Sequence, residues 1–415
     1  MVMTDTTKPV TGTIAERVEA LRPILVAGGH EAQQLRRLPQ ATVDAMIDAG
    51  LFRATLPKEL GGENQSSMET IEMLELVGAI DGSVAWNLML GSEINAMVAG
   101  GMDPKLAKAV YVDNPRVVMC GGGGPGSQPS YAKRDPNGDG YRVWGQSTFI
   151  SGCHNATYFM QAAPIVDDNN ELIRDDDGNP QIKMWFLHRS QWEIIDTWDV
   201  AALRGSGSHD VRTTGGHVPE DFIDVGLVTF PAHYDNPVFR MPVPLRLAYN
   251  KAAVSLGVCK GVLEEFQSLA STKVPMLATQ PLKDRPIAQY RYAEGLAKYR
   301  GARAYLLESM AAVEDELHAG APWPGAETTQ AARLACTYAA NACMEVVDSI
   351  CNAAGTSAIR MDNPLERKLR DSHGAATHRW TSHQLYTDLG RIALGGEPGP
   401  EFDGSATVSG SGRKK

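Results

Sequence analysis

The spacing of apolar side chains changes twice along this chain of 415 residues, and the changes limit the folds it can adopt. Apolar residues recur at helical spacing up to about residue 115, and again after Pro242 and Pro244. Between these regions, short apolar runs are separated by Gly, Pro, Asn and Asp, which is typical of strands and turns. We therefore predict an α+β fold with four parts: an N-terminal helical domain over 1–115, a central small β-barrel or sandwich over 116–235, a C-terminal four-helix bundle over 236–397, and a disordered Gly/Ser-rich tail over 398–415.

Within this plan, the helical period and its Gly and Pro breaks give the bounds of individual helices. In the N-terminal domain the predicted helices are 67–80, 83–99 and 104–112. The four helices of the bundle are predicted at 245–272, 285–318, 327–354 and 364–394.

Composition excludes several classes of protein. A formal net charge of -10 leaves no basic surplus to neutralise phosphates, so we expect no nucleic-acid partner. No apolar run reaches the roughly 20 residues of a membrane-spanning helix, and residues 1–9 lack the apolar core of a signal peptide. We therefore expect a cytoplasmic protein without membrane contact. The cysteines include no C-x-x-C pair, which favours buried free thiols over a metal site.

The stretch 145–152, Gly-Gln-Ser-Thr-Phe-Ile-Ser-Gly, follows a turn rich in Asn, Asp and Gly at 136–140. Its alternation is that of an ordinary strand, in which Phe149 faces the core and Ser151 lies at the edge. Periodicity alone therefore gives this stretch no function.

Four segments in order nevertheless resemble the acyl-CoA dehydrogenase superfamily, over residues 20–395. They are Gly-Leu-Phe through Pro-Lys-Glu-Leu-Gly-Gly at 50–62, Gly-Tyr-Arg-Val-Trp-Gly through Ser-Gly at 140–152, Leu-Arg-Gly-Ser-Gly-Ser-His-Asp-Val at 203–211, and Ala-Gly through Pro-Leu-Glu-Arg, Arg-Asp and Leu-Gly-Arg at 354–391. The resemblance implies a flavin between the β domain and the bundle, with Phe149 packed on the isoalloxazine ring and Ser151 hydrogen-bonded to its N5 atom. Further cofactor-binding residues implied in this way are Gly126, Ser127, Gly152, Arg204, Gly355 and Thr356.

The catalytic carboxylate of the dehydrogenases is missing from this chain. Most members of the superfamily carry a Glu shortly after an Arg-Asp pair in the last helix, and Arg379 occupies that position here. The other family position for the base, within 246–255, contains no carboxylate. His378 instead resembles the flavin-dependent monooxygenases of this fold, often called group D. That branch implies that reduced flavin (FADH2 or FMNH2) reacts with O2 to give a C4a-hydroperoxide, which hydroxylates a small aromatic or heteroaromatic substrate resembling a phenol or an indole.

In that reaction the predicted catalytic residues are Ser151 and His378. Ser151 would hold the oxygenated flavin at N5, and His378 would hydrogen-bond the peroxide or deprotonate a phenol or ring N–H. The segment 82–87 resembles the wall of the substrate pocket in these monooxygenases, although this chain lacks the His that several of them carry near Ser92 or Glu93. The predicted substrate-binding residues are Trp86, Asn87, Ser206 and His378.

Ordinary structural roles remain open for these side chains. Trp86 is equally a core residue, and His378 is equally a half-buried helix histidine with one hydrogen bond. In a continuous helix over 364–394, Asp371 lies two turns before His378 on the same side. His373 lies about 140° around that helix from His378, so we expect no metal-binding pair.

Other activities of this fold also remain open. They are an acyl-CoA dehydrogenase or oxidase with a relocated base, an oxygenase acting on nitrogen or sulfur, and a flavin carrier without catalytic activity.

Two glycine-rich loops imitate nucleotide-binding motifs. The first, at 121–126, fits G-x-G-x-x-G, but Pro125 and Pro129 argue against the helix that a dinucleotide site requires. The second, at 204–208, lacks the Lys of a P-loop. Without a nicotinamide site, the protein would depend on a separate NAD(P)H-dependent flavin reductase. The bundles of the superfamily pack as tetramers, which implies a homotetramer.

Overall fold

The computed structural model describes residues 11–122, 124–224, 233–399 and Phe402. Helices form the N-terminal part of the chain, and a capping box begins two of them: Thr13 pairs with Glu16, and Ser66 with Glu69. The predicted helices at 67–80 and 83–99 are confirmed almost to the residue, whereas the predicted helix at 104–112 is one short α-helix continued by a π-helical turn, Lys108–Val112. The α-helices are α1 (Ile14–Leu35), α2 (Gln40–Asp48), α3 (Ser67–Ile80), α4 (Gly82–Gly101) and α5 (Pro104–Ala107).

Two β-sheets follow, and they face each other across one apolar core that contains Ile150, Phe159 and Trp185. The strands in the described part of the chain are β1 (Met119–Gly121), β2 (Gly124–Pro125), β3 (Tyr131–Arg134), β4 (Tyr141–Thr148), β5 (Tyr158–Pro164), β6 (Ile182–His188), β7 (Trp192–Ile195) and β8 (Asp210–Val218). One sheet has the order β1-β5-β6, and the other β2-β4-β8-β7 with β3 also paired to β4. The predicted small β-sandwich is therefore confirmed. Residues 225–232, which the sequence placed in this domain, lie outside the described residues.

The C-terminal part is helical, and three of its long helices start within two residues of the predicted positions and end at the predicted residue. These are α6 (Val243–Thr272), α7 (Pro286–His318) and α8 (Ala326–Ala354). The predicted helix 364–394 is wrong as one element, because the chain forms two helices, α9 (Pro364–Ala376) and α10 (Leu385–Ala393), with a turn between them. Phe402 is buried against Leu385 and Leu389 of α10, while residues 400, 401 and 403–415 of the predicted tail lie outside the described residues.

Side chains of α8 explain why the last helix is interrupted. The buried Arg333 donates a hydrogen bond to the carbonyl of Trp380 (3.0 Å), and the buried Asn341 donates one to the carbonyl of Thr381 (2.8 Å). In a continuous helix, carbonyls at these positions would accept from the N–H groups four residues later. Because a buried guanidinium or amide without partners is costly, α8 favours a turn that leaves these carbonyls available.

The N-terminal helices and the bundle share one core, because α3 packs closely along α6. Glycines permit this approach: a Cβ at Gly78 would lie 3.0 Å from the Cα of Gly257. The six cysteines are buried free thiols, as predicted. No helix among the described residues is long and apolar enough to cross a bilayer.

Candidate active site

The stretch 145–152 is not a continuous strand, because β4 ends at Thr148 and the chain turns. The backbone N–H of Ile150 bonds to the carbonyl of His209 (3.0 Å), and its side chain enters the sandwich core. This leaves Phe149 outside, with a left-handed φ of 60° and 65% of its surface exposed. Its ring meets the ring of Trp198 edge-on at 5.9 Å. A strained residue that exposes an aromatic face indicates a binding surface, and this face fits a flat ring such as a flavin.

Ser151 is buried beside Phe149, and its hydroxyl lies at the centre of a small network. The indole N–H of Trp86 donates to Ser151 Oγ (3.1 Å), which lies 2.7 Å from Ser208 Oγ. Ser208 Oγ lies 2.6 Å from Ser206 Oγ, and the carbonyl of Ser206 accepts from the N–H of Gly152 (3.0 Å). The structure thus brings together four predicted site residues, Trp86, Ser151, Gly152 and Ser206, and adds Ser208, which sequence reasoning missed.

Asn87 and Arg204 hold the 203–208 loop against the N-terminal helices. Asn87 Nδ2 donates to the carbonyls of Ser83 and Gly205, both at 3.0 Å. Arg204 donates from Nε to the carbonyl of Gln33 (3.0 Å) and from Nη1 to that of Val200 (2.6 Å). These polar groups were predicted to bind substrate and cofactor, and in the structure they donate mainly to backbone carbonyls. Asn87 Oδ1 also accepts from Asn155 (3.4 Å), and Arg204 Nη1 lies 3.5 Å from Asp199 Oδ1.

His378 lies in the turn between α9 and α10, where its ring meets that of Trp86 at 5.5 Å in an edge-on arrangement. Burial, helped by the positive charges of Lys251 and Arg379, lowers the pKa of His378 to about 3. Its Nδ1 accepts a hydrogen bond from the backbone N–H of Trp380 (3.3 Å), so the proton of the neutral ring lies on Nε2. His378 is thus a neutral hydrogen-bond donor, and its low pKa disfavours the general-base role that the sequence left open.

The expected relation between Asp371 and His378 is wrong, because α9 ends at Ala376 and the two residues do not share a helix. Asp371 is fully buried and accepts a hydrogen bond from the backbone N–H of Leu203 (2.6 Å). It therefore anchors the loop that carries Ser206 and Ser208. His373 is exposed and contacts Asp348, with 2.8 Å between Nε2 and Oδ1.

The other predicted cofactor residues lie in two loops. The backbone N–H of Gly126 donates to the carbonyl of Gln146 (2.7 Å), and Ser127 Oγ donates to the side chain of Gln146 (3.1 Å), so this loop runs along β4. A strand, β2, stands where a dinucleotide site would require a helix. Gly355 and Thr356 follow α8, and Lys273 Nζ donates to Ser357 Oγ (2.7 Å) in the same turn.

The pair formed by Glu93 and Lys251 is a second polar group that sequence reasoning missed, although its signal was present. Glu93 lies in the otherwise apolar α4, and Lys251 in an apolar stretch of α6. Lys251 Nζ lies 2.7 and 2.9 Å from the two carboxylate oxygens of Glu93, and Asn250 Nδ2 donates to the same carboxylate (2.9 Å). Single charges inside apolar helices predict a buried pair, since an unpaired buried charge is costly.

With this geometry established, two family models match the chain. Residues 20–103 match the acyl-CoA dehydrogenase N-terminal domain, and residues 249–383 match the acyl-CoA dehydrogenase C-terminal domain. The chain belongs to the acyl-CoA dehydrogenase superfamily. The predicted family and the predicted three-part fold are confirmed.

Relatives within this superfamily are monooxygenases. An indole-3-acetate monooxygenase of Acinetobacter baumannii is 29% identical over 368 residues, which cover 88% of this chain and 89% of that protein. The oxygenase component of p-hydroxyphenylacetate 3-hydroxylase from Acinetobacter baumannii is 27% identical over 406 residues, covering 95% of this chain and 92% of that protein. Among solved structures, the 3-HSA hydroxylase of Rhodococcus sp. RHA1 has a TM-score of 0.82 at 22% identity, covering 94% of this chain and 99% of that one. XiaF from Streptomyces sp., in complex with FADH2 and glycerol, has a TM-score of 0.81 at 21% identity, covering 93% of this chain and 96% of that one.

Proposed function

We propose that this superfamily member is the oxygenase component of a two-component, reduced-flavin-dependent monooxygenase that hydroxylates a small aromatic or heteroaromatic molecule. The observation that carries the proposal is the junction of Trp86, Ser151 and His378. In the described part of the chain, the side chains in hydrogen-bond or ring contact with these three residues include no carboxylate. A dehydrogenase base is therefore missing where the hydride-transfer reaction of this fold requires one.

The residues of the 148–152 turn suit a flavin. Phe149 would pack on the ring system, and Ser151, Gly152, Gly126 and Ser127 would line it. When bound, reduced flavin supplies the electrons with which one oxygen atom of O2 enters a C–H bond of the substrate while the other leaves as water. Ser151 Oγ accepts from the indole of Trp86, and its own hydrogen can be donated to the flavin when Ser208 is the donor in the contact between the two serines.

His378 and Trp86 bound the substrate side of the site. Trp86 offers a ring edge and face to an aromatic substrate. His378 remains neutral across the physiological range, because its pKa lies near 3. Its Nε2–H would donate a hydrogen bond to the substrate or to the oxygen being transferred, and it would not remove a proton.

Electrons come from a partner protein in this proposal. The loop at 121–126 runs into a strand and offers no helix N-terminus to a nicotinamide pyrophosphate, so a separate NAD(P)H-dependent flavin reductase supplies the reduced flavin, FADH2 or FMNH2. Relatives described as oxygenase components support this arrangement. We further propose a homotetramer, in which Gly355 and Thr356 contribute to the flavin site of a neighbouring copy.

The test is oxygen incorporation without a reductase. Chemically reduced flavin is mixed anaerobically with the protein and then with ¹⁸O₂, in the presence of a panel of phenols and indoles. We expect a product that carries one labelled oxygen atom. Unlabelled products throughout, combined with anaerobic bleaching of bound oxidised flavin by an acyl-CoA, would instead establish the dehydrogenase alternative.

A further inference from the structure

A small, mostly apolar cavity with a few polar side chains in its wall lies between α3, α4 and α6, on the side of α4 that also carries Trp86. Leu74, Met89 and Val238 form much of its wall, and the polar side chains of Glu93 and Arg246 face it. Trp86 and Glu93 are seven residues apart in α4, so they lie on the same face of the helix, about 10 Å apart along its axis. The cavity thus lies along the same face of α4 as the proposed substrate site, about two helical turns further on.

Arg246 carries a charge in this cavity that the protein does not pair. The residue is 5% exposed, and its Nε is fully buried without a hydrogen-bond partner. In the described part of the chain its guanidinium makes no hydrogen bond and no ion pair. Burial lowers the pKa of Arg246 to about 10, so the side chain stays positively charged at neutral pH.

The carboxylates in the neighbourhood are already engaged. Glu93 is held by Lys251, whose Nζ lies 2.7 Å from Oε1, so this pair contributes no net charge. Glu314 is buried too, but it accepts a hydrogen bond from the backbone N–H of Ser67 (2.6 Å) and does not line the cavity. The cavity wall therefore retains one positive charge, that of Arg246.

We infer that this cavity binds a carboxylate carried by the aromatic substrate, with Arg246 as its partner; the inference rests on the proposed function, which places the substrate ring against Trp86. A buried unpaired charge is costly, and a planar guanidinium presents paired N–H donors that match a carboxylate. The substrate class is therefore an aryl acid with a short acidic side chain.

The position of Lys251 connects this cavity with the oxygenation site. Lys251 follows Asn250, which lines the cavity, and its charge contributes to lowering the pKa of His378, so His378 lies within electrostatic reach of this part of α6. A ring in contact with Trp86 and His378 can thus direct an acidic side chain along α4 toward Arg246. The contact between the substrate carboxylate and Arg246 then fixes how deeply the aromatic ring sits in the site, and so which ring atom faces the flavin.

The test compares acids with their neutral isosteres. The dissociation constants of indole-3-acetate and 4-hydroxyphenylacetate, and of the two corresponding amides, are measured by anaerobic equilibrium dialysis, with and without reduced flavin. For at least one pair we expect the acid to bind more tightly by about 10- to 100-fold, the value of a charge-assisted hydrogen bond in a buried site. Arg246→Met should abolish this preference while leaving amide binding unchanged, and Arg246→Lys should retain part of it.

The control is Arg240→Met. Arg240 Nη1 donates to the carbonyl of Ala321 (2.7 Å) and does not line the cavity, so its loss should leave the preference for the acid intact. The thermal stability of the ligand-free variants gives a second readout. Because Arg246 is buried and unpaired, Arg246→Met should unfold at the wild-type temperature or above it. A fall of more than about 5 °C would indicate a structural role and contradict the inference.

Failure of the inference can be separated from failure of the proposed function, because dialysis involves no turnover. Equal binding of acid and amide in every pair, or an acid preference that survives Arg246→Met, would overturn the carboxylate site even if labelled product forms. An acid preference that depends on Arg246, without any oxygen incorporation, would support the site and reject the monooxygenase.

Discussion

Ser151 has one hydroxyl hydrogen, which it can donate either to Ser208 or to a bound flavin. It accepts from Trp86 and lies within hydrogen-bond distance of Ser208. Ser151→Ala would leave the buried indole N–H without an acceptor, at a cost of about 1–3 kcal/mol, and would remove a donor from the proposed flavin surface. We expect flavin to bind as in the wild type, while the share of consumed O2 that appears as product falls and hydrogen peroxide rises correspondingly.

An oxygen electrode with product and peroxide assays measures this partition. Ser206→Ala is the matched control, because it removes a hydroxyl from the far end of the same row without touching Trp86. If Ser151→Ala divides the consumed O2 between product and hydrogen peroxide as the wild type does, Ser151 does not contact the reacting flavin.

His378 leads to a prediction about pH. Its pKa of about 3 means that it stays neutral throughout the physiological range, so the pH profile of kcat should show no inflection from this residue between pH 5 and 8. His378→Ala should lower kcat by about 100- to 1,000-fold, the usual value of one positioned donor, and His378→Asn should recover part of the loss. A wild-type inflection near pH 6.5 that disappears in His378→Asn would show that His378 titrates and contradict the donor role.

At the scale of elements, the close approach of α3 and α6 depends on glycine. A Cβ at Gly78 would lie 3.0 Å from the Cα of Gly257 and 3.2 Å from the carbonyl oxygen of Val254. Gly78→Ala should therefore push the helices apart and lower the free energy of unfolding by about 1–3 kcal/mol.

Gly301→Ala is the matched control on α7. A Cβ there would have no neighbour within 4 Å, so the better helix propensity of Ala should raise stability by about 0.5–1 kcal/mol. Urea unfolding of both variants gives the comparison. If both substitutions change the free energy of unfolding by the same amount, the close approach of α3 and α6 does not depend on Gly78.

The helices also show how much of the fold could be predicted from the sequence. Periodicity predicted α3, α4 and α6–α8 closely, because each long helix presents a continuous apolar face. It could not predict the break before α10, since that break depends on Arg333 and Asn341, about forty residues earlier on another helix.

In the candidate site, the resemblance led to Phe149, Ser151 and His378, and the replacement of a Glu by Arg379 predicted the monooxygenase class that the relatives support. Alternation placed Phe149 in the core, and the structure places it outside, because the anchored Ile150 takes the inward position. Ser208 was missed because its contact with Ser151 spans 57 residues and no local pattern encodes it.

At the scale of the whole molecule, three regions meet at Asp371. The residue belongs to α9, holds the β-domain loop through Leu203, and lies close to Asp81 at the start of α4. Burial and the charge of Asp81 raise the pKa of Asp371 to about 7, above the value near 3.9 of an unfolded chain. Between these values the folded protein binds more protons than the unfolded one, so this group reduces stability as the pH rises from about 4 to 7.

Asp371→Asn keeps an acceptor for Leu203 and removes the titration. Its stability relative to wild type should therefore improve by about 2–3 kcal/mol between pH 5 and pH 8. Urea unfolding at the two pH values tests this, and Asp176→Asn, on an exposed turn, controls for the change in net charge. If the free energy of unfolding changes with pH equally in wild type and Asp371→Asn, the raised pKa assigned to Asp371 is wrong.

The position of Trp86 has a consequence for how this protein can change over evolution. The indole N–H of Trp86 donates to Ser151, and its ring meets His378. Arg246 of α6 lines the cavity that begins further along α4, where Glu93 lies about two helical turns after Trp86. The residues that we propose to act on oxygen and the residues that we propose to select the ligand are therefore different side chains, placed at different levels of α4. Substitutions around Arg246 can therefore change the range of aromatic substrates during evolution, while Ser151 and His378 stay unchanged.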